Sequence, residues 1–283
     1  MSSAPTPRPL PRLLMCRPTH YAIAYEINPW MSLKRPAHQA RALAQWTRLH
    51  ALLTRQLKVR VQLLRPRPGV PDLVFTANAG LVAGRLFIRS NFRYPQRQPE
   101  EPFVSAHFRS RGFRVATLPA RYDFEGEGDA LWVGRTLLLG FRFRSDAPAH
   151  EELARLLQAE VLPVELTDRR FYHLDTCFCP LTARCAVWFP KAFDRYGRTV
   201  IERLVADPIA VSEADAQRFA CNAIAVGRTV IMQAGVSAAL RRQLERRGFR
   251  VVPVDLSEFL KAGGSAKCLV LYLSHASTPE SHA

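Results

Sequence analysis

Short apolar runs alternate along the whole chain with longer segments in which apolar residues recur every three or four positions. That spacing predicts helices over Ala37–Leu57, Ala149–Leu157, Tyr196–Val205 and Ala238–Arg247. A β-like run follows most of them, as VRVQLL, VLPVEL and FRVVPVDL, and Phe103–Gly112 followed by FRVATLP fits the same plan more weakly. The pattern is that of an α/β protein, with strands and amphipathic helices interleaved.

A second pattern is superimposed on the first. Five segments start with a polar residue at a turn and pass into paired apolar runs: NAGLVAGRLFI from Asn78, DALWVGRTLLLG from Asp129, DTCFCPLTARCAVWF from Asp175, NAIAVGRTVIM from Asn222 and CLVLYL from Cys268. The starters are 51, 46, 47 and 46 residues apart, and Val-Gly-Arg-Thr occurs at both Val133–Thr136 and Val226–Thr229. Self-similarity at such a period predicts a repeat architecture, often a propeller-like ring. The first repeat, with CRPTHYAIAYEINPW, matches the others loosely. In a ring, equivalent strands bring their first residues to one end of the axis. Asn78, Asp129, Asp175, Asn222 and Cys268 would then face one central cavity. Asp and Asn also start turns for purely local reasons, but several in register, with a cysteine at the same point, predict a site.

Composition narrows the class. The 283 residues are 48% hydrophobic, enough for a sizeable core, and no run approaches the roughly 20 apolar residues that span a bilayer. The proline-rich start, MSSAPTPRPLPRLLM, lacks a long apolar region and reads as a disordered lead-in. Forty Lys and Arg against 24 Asp and Glu leave a net charge of +16. The arginines are scattered, with no basic run interleaved with aromatics, so nucleic acid is not the expected partner. Six cysteines in apolar, strand-like contexts read as reduced thiols of a cytoplasmic protein.

Cys268, in GGSAKCLVL, could be a core residue, a metal ligand or a nucleophile. A cysteine nucleophile needs thiolate character and a proton-transfer partner. His173 in FYHLDTCFCP is the best candidate, with Asp175 two residues on and on the same face if the segment is a strand. Glu125 could orient the imidazole. Asp72, Asp129 and Asp175 favour a cationic substrate head, and a guanidinium matches paired carboxylates well. HLDTCFC also offers N, O and S donors for zinc, but no second ligand cluster follows.

The stretches PDLVFTANAG (71–80), FEGEGDAL (124–131), FYHLDTCFCP (171–180) and GGSAKCL (263–269), with CRPTHYAIAYEINPWM near the start, resemble in order the guanidine-modifying, or pentein, superfamily of arginine deiminases, dimethylarginine dimethylaminohydrolases and amidinotransferases. The resemblance covers nearly the whole chain. It implies a five-bladed αβ-propeller of ββαβ-type repeats around a central polar cavity, as one catalytic domain over 13–275 between a lead-in (1–12) and a disordered tail (276–283). It implies a hydrolase without cofactor or metal, acting on a small guanidino or ureido amino acid, and is compatible with a homo-oligomer. The Cys268 thiolate would attack the guanidinium carbon to give a covalent thiouronium. His173 would protonate the leaving amine and then activate water, and Glu125 would orient His173. Asp129 and Asp175, with Asp72 nearby, would hold the guanidinium. Arg144 and Asn28 would bind the α-carboxylate and amine.

Two departures and one rival residue leave choices open. The family's EGGD reads EGEGD, one residue longer, so Glu127 rivals Glu125; Arg142 competes with Arg144 in GFRFRSD. At Asn78 most deiminases and dimethylaminohydrolases have aspartate. An amide can donate as well as accept and so can hold a neutral ureido group, which resembles the arginine dihydrolase branch, where citrulline goes on to ornithine. A dimethylarginine dimethylaminohydrolase and a catalytically silent binding protein are the alternatives.

Overall fold

The computed structural model describes residues 10–274; the expected tail and most of the expected lead-in lie outside them. The strands are β1 (Arg12–Cys16), β2 (Arg60–Leu64), β3 (Gly80–Ala83), β4 (Leu86–Arg89), β5 (Arg114–Thr117), β6 (Ala130–Val133), β7 (Thr136–Phe141), β8 (Val161–Glu165), β9 (Phe178–Pro180), β10 (Cys185–Trp188), β11 (Asp207–Ala210), β12 (Ile224–Val226), β13 (Thr229–Gln233), β14 (Arg250–Val254) and β15 (Leu271–Ser274). They form five three-stranded sheets, β15-β1-β2, β3-β4-β5, β6-β7-β8, β9-β10-β11 and β12-β13-β14. In each sheet the first two strands pair antiparallel and the third joins parallel. A parallel partner requires a crossover, and one long helix fills each: α1 (Gln39–Ala51), α2 (Glu100–Arg109), α3 (Ala149–Leu157), α4 (Arg195–Leu204) and, after the short α5 (Glu213–Gln217), α6 (Ala238–Arg246). A further turn of helix, α7 (Ser257–Leu260), precedes the last strand.

The predicted helices lie where the spacing put them, within a few residues. Hydrogen-bonding caps set several starts: Asp194 accepts from the backbone of Tyr196 and Gly197, Ser212 from Asp215 and Ser237 from Leu240. On the apolar stripes, Leu153 of α3 and Leu240 and Leu244 of α6 are buried; each such leucine taken from water stabilises by about 2 kcal/mol. The repeated Val-Gly-Arg-Thr is a hairpin turn: Gly134 and Gly227 take φ of 62° and 57° between antiparallel strands, a conformation that favours glycine.

The loosely matched first repeat has a topological cause. The strand that follows Cys268, β15, pairs antiparallel with β1, so the last starter and the first strand share one sheet. Arg12, assigned to the lead-in, is the first residue of that strand. Among the described residues no helix is long and apolar enough to cross a membrane.

Candidate active site

All five polar starters sit in turns directly before the first strand of a sheet, and all are buried: Asn78 3%, Asp129 1%, Asp175 0%, Asn222 0% and Cys268 3% exposed. Neighbouring turns touch in succession. Asp129 Oδ1 accepts from Leu174 N at 3.1 Å, Asn222 Nδ2 donates to Asp175 O at 3.0 Å and to Cys268 Sγ at 3.1 Å, and Thr76 Oγ1, two residues before Asn78, donates to Leu269 O at 3.0 Å.

The thiol of Cys268 has two side-chain partners. Asn222 Nδ2 donates to it, and it donates to Asp175 Oδ2 at 3.4 Å. Asn222 Oδ1 in turn accepts from Cys268 N at 3.2 Å and Ser265 N at 3.0 Å. Burial pushes the thiol well above its ordinary range, and Asp175 adds to the shift, against the Ser265 N–H, Asn222 and Lys267. Burial likewise raises Asp175 to about 7, with Lys267 opposing. Asp175 Oδ1 is buried without a hydrogen-bond partner. Lys267 is itself buried and pairs with Glu127 Oε2 at 3.0 Å, which also accepts from Tyr272 N.

His173 Nε2 lies 2.8 Å from Glu125 Oε2, and Arg144 Nη1 donates to the same oxygen at 3.0 Å. Glu125, not Glu127, is the imidazole's neighbour. Burial opposes ionisation of Glu125, but Arg144 and His173 outweigh it and hold the carboxyl at about 2. Burial presses His173 down to about 4 against the pull of Glu125. At neutral pH a carboxylate therefore faces a neutral imidazole whose Nε2 carries the proton, which leaves Nδ1 as a base. The shared strand face expected for His173 and Asp175 is not formed. Leu174–Thr176 is a 3-10 turn, so His173 turns to Glu125 and Asp175 to Cys268.

A cavity opens beside this cluster, lined by Asn28, Asp72, Asn78, Arg144 and Cys268 among others. Arg144 is buried between the rings of Tyr94 and Tyr172, 4.6 and 4.7 Å from their centroids, whereas Arg142 is half exposed and pairs with Glu165. Asp72 Oδ2 accepts from Tyr25 and its Oδ1 has no partner. Two expected ligand groups are turned toward the scaffold. Asn28 lines the cavity, but its Oδ1 accepts from Trp30 N and Met31 N and its Nδ2 donates to Ala262 O. Asp129 Oδ2 accepts from Ser145 at 2.6 Å and its Oδ1 from Leu174 N, so it braces neighbouring turns. Burial raises its pKa well above the carboxylate range.

The cavity also holds Arg97, which sequence reasoning missed. It lies in NFRYPQRQPE, a polar stretch of an arginine-rich chain, and nothing local marks it. Arg97 Nη1 donates to Asn78 Oδ1 at 2.8 Å, while Asn78 Nδ2 is buried without a partner. Gly128 is the common neighbour of that amide and the imidazole: a Cβ there would overlap Asn78 Nδ2 and come within 3.2 Å of His173 Cδ2. Among the described residues no cluster of His, Cys, Asp and Glu is arranged to hold a metal ion.

Known proteins resemble this chain over nearly all of its length. The family described as N,N dimethylarginine dimethylhydrolase, eukaryotic, matches residues 19–274. The bifunctional arginine dihydrolase/ornithine cyclodeaminase ArgZ of Synechocystis is 46% identical over 277 residues, 96% of this chain and 39% of that protein. This chain thus spans about two-fifths of that relative's length. The dimethylarginine dimethylaminohydrolase of Mycobacterium tuberculosis is 40% identical over 260 residues, 92% of this chain and 85% of that protein. The substrate-bound N-terminal domain of ArgZ, a cysteine-to-serine mutant, superposes with a TM-score of 0.89 at 46% identity over 93% of this chain and 98% of that one. An asparagine-to-serine mutant of the same domain holds a covalent reaction intermediate. With this match across residues 19–274, the chain belongs to the dimethylarginine dimethylhydrolase family, within the guanidine-modifying, or pentein, superfamily.

Proposed function

We propose that this chain is a cysteine-dependent hydrolase of arginine-like guanidines that works as an arginine dihydrolase, taking arginine through citrulline to ornithine. The orientation of Asn78 carries the reading. Its carbonyl is occupied by Arg97, so the amide offers the cavity an N–H donor. A guanidinium has only donors, whereas the ureido group of citrulline has a carbonyl acceptor. A donor in this place favours a cavity that keeps citrulline as a substrate. The cyanobacterial relative ArgZ is itself a bifunctional arginine dihydrolase/ornithine cyclodeaminase.

In the first round the thiol proton passes to His173 Nδ1 as Cys268 Sγ attacks the guanidinium carbon, and the C–N bond breaks as His173 hands that proton to the departing ammonia. Water deprotonated by His173 attacks the thiouronium, and the C–S bond breaks to give citrulline and free thiol. In the second round attack on the ureido carbon expels a second ammonia and leaves a thiocarbamate. Its hydrolysis gives a carbamate that loses carbon dioxide as ornithine forms. Burial holds the thiol well above its ordinary range, so the arriving cation is part of the activation. A positive charge within about 4 Å favours the thiolate, and Asp175 Oδ2 is within reach of the thiol proton. Asp72 Oδ1, in the cavity wall, and Asp175 Oδ1, beside the thiol, are unpartnered carboxylate oxygens that suit a guanidinium; Glu125 Oε1 is also unpartnered, on the carboxylate that holds His173. Arg97 and Arg144 are the two arginines that line the cavity, and Arg144, beside Asn28, is the one assigned to an α-carboxylate.

We further infer that the five sheets close into a propeller as a single catalytic domain. The contacts between successive starter turns run from Asn78 through Gly128–Asp129, Asp175 and Asn222 to Cys268, and the Thr76–Leu269 bond returns to the start. Six free buried thiols support residence in the cytoplasm.

Incubation of the purified protein with arginine, citrulline and methylarginines tests the function. Release of ornithine from citrulline supports a dihydrolase. No turnover of any guanidine, with Cys268→Ser equal to wild type in ligand binding, excludes an enzyme. The second reading, a dimethylarginine dimethylaminohydrolase, is favoured by the mycobacterial relative, of which the chain covers 85%; methylamine release in preference to ammonia is its signature.

A further inference from the structure

We propose that Glu100 is a positioning residue for ligand selection: acting through Arg97, it fixes the orientation of the Asn78 amide and so decides that the cavity presents an N–H donor. The proposal rests on the dihydrolase reading and names the residue that sets its selectivity. Glu100 lies at the start of α2, and its carboxylate grips Arg97 as a fork, Oε1 on Nε at 2.8 Å and Oε2 on Nη2 at 2.9 Å. Both side chains are buried, 2% and 3% exposed. Nη2 also donates to Asp72 O at 3.2 Å, and the guanidinium lies 4.4 Å from the centroid of Phe92.

With Nε and Nη2 committed, Nη1 is left to point at Asn78. An arginine held at two nitrogens by one planar carboxylate has little freedom to rotate. Flipping Asn78 would turn its amide donors onto that Nη1 donor and lose a hydrogen bond to a charged group, which disfavours the flipped form by at least about tenfold. A purely structural ion pair has no need of this third contact. Its presence couples a glutamate outside the cavity lining to the amide in the cavity whose donor end lacks a partner.

Full-length Cys268→Ser protein, titrated calorimetrically with L-citrulline and with L-arginine, tests the proposal. Adding Glu100→Gln puts an amide donor against one nitrogen of the fork and releases the guanidinium. The expected result is that citrulline binding weakens by about tenfold while arginine binding changes by less than about threefold. Glu100→Asp, which keeps the charge, should recover part of the difference. The ratio of the two affinities does not depend on the folded fraction. If Glu100→Gln is insoluble, Arg97→Lys carries the test, because one nitrogen replaces three and the ratio should fall likewise. Equal weakening of both ligands, no weakening, or no citrulline binding with Glu100 intact overturns the proposal. Ornithine release by the wild-type protein judges the dihydrolase reading separately: turnover with an unmoved ratio rejects only the positioning, and a moved ratio without turnover rejects only the dihydrolase.

Discussion

Asn222 holds Cys268 from both ends: its Nδ2 donates to Sγ at 3.1 Å and its Oδ1 accepts from the cysteine's own N–H at 3.2 Å. The amide thus ties the backbone turn to the sulfur and supplies a donor to the thiolate that burial otherwise disfavours. Asn222→Asp keeps the shape but puts a carboxylate against the sulfur. A hydrogen bond to a charged group is worth about 1.5–3 kcal/mol, so kcat/KM for arginine should fall by about 10- to 100-fold. Alkylation of Cys268 by iodoacetamide at pH 8 should slow in parallel. An unchanged alkylation rate contradicts the assigned donor.

Asn78→Asp replaces the donor end of the amide with a second acceptor, which Arg97 can still pair with on one oxygen. The other oxygen then faces the ligand as a carboxylate, which suits a guanidinium and repels a ureido oxygen. The variant should still convert arginine to citrulline, while ornithine formed per arginine consumed should fall by about tenfold or more. Product analysis by amino-acid chromatography decides it. Ornithine formation at an undiminished rate removes the argument from Asn78.

The parts of the fold that were readable from sequence depend on local pattern. Helical spacing located α3, α4 and α6 because each buries one apolar stripe, and the five starters stood out because every sheet begins with the same turn. The pairing of β15 with β1 was not readable, since it joins residues at opposite ends of the chain. Within the site, Glu125, His173 and Cys268 were marked by motif. The direction of each side chain was not: Asp129 has the charge for a guanidinium, yet Ser145 and Leu174 take both of its oxygens. Arg97 and Asn222 act through partners 19 and 46 residues away, and such contacts exist only once the chain is folded.

His173 should remain neutral well below the pH at which a free histidine protonates. Burial holds it down to about 4, while Glu125 stays ionised to about 2. A folded-state pKa below the unfolded value means that the unfolded chain takes up the proton first. The contribution of His173 is therefore complete above about pH 6.5 and declines as pH falls toward 4, by about 3 kcal/mol in all. Asp175 and Glu100, both raised to about 7, work in the opposite sense: their contribution is present at low pH and declines as pH rises from about 4 to 7. The two trends offset each other in global stability, so the site-specific readout is nitrogen NMR of the imidazole. A neutral ring with Nε2 protonated at pH 5.5 is expected. An imidazolium at that pH contradicts it.

Lys267 and Glu127 form a buried ion pair next to the nucleophile. Removing one member strips a buried charge of its ion-pair partner, which costs about 3–5 kcal/mol. Lys267→Met should accordingly lower the midpoint of urea unfolding. It should also slow alkylation of Cys268, because Lys267 opposes the upward shift of both the thiol and Asp175. A purely structural lysine would change the first measurement and leave the second, made on folded protein, at its wild-type value.

Gly128→Ala tests the contact between the two halves of the proposed chemistry. Its new methyl would overlap Asn78 Nδ2 and press on His173 at Cδ2 and Cγ, 3.2 and 3.3 Å away. Both side chains are buried and tethered, Asn78 by Arg97 and His173 by Glu125, so neither can yield without losing its partner. Overpacking of this kind costs about 1–3 kcal/mol of stability, which leaves most domains folded at 25 °C. A displacement of about 1 Å in a reacting group costs about 100-fold in rate. The alanine variant should therefore remain folded by circular dichroism while kcat/KM for arginine drops by about two orders of magnitude. Because the amide moves as well as the imidazole, turnover of citrulline should drop further than turnover of arginine. Folded protein with both activities within about threefold of wild type would mean that the amide and the imidazole do not serve the same ligand.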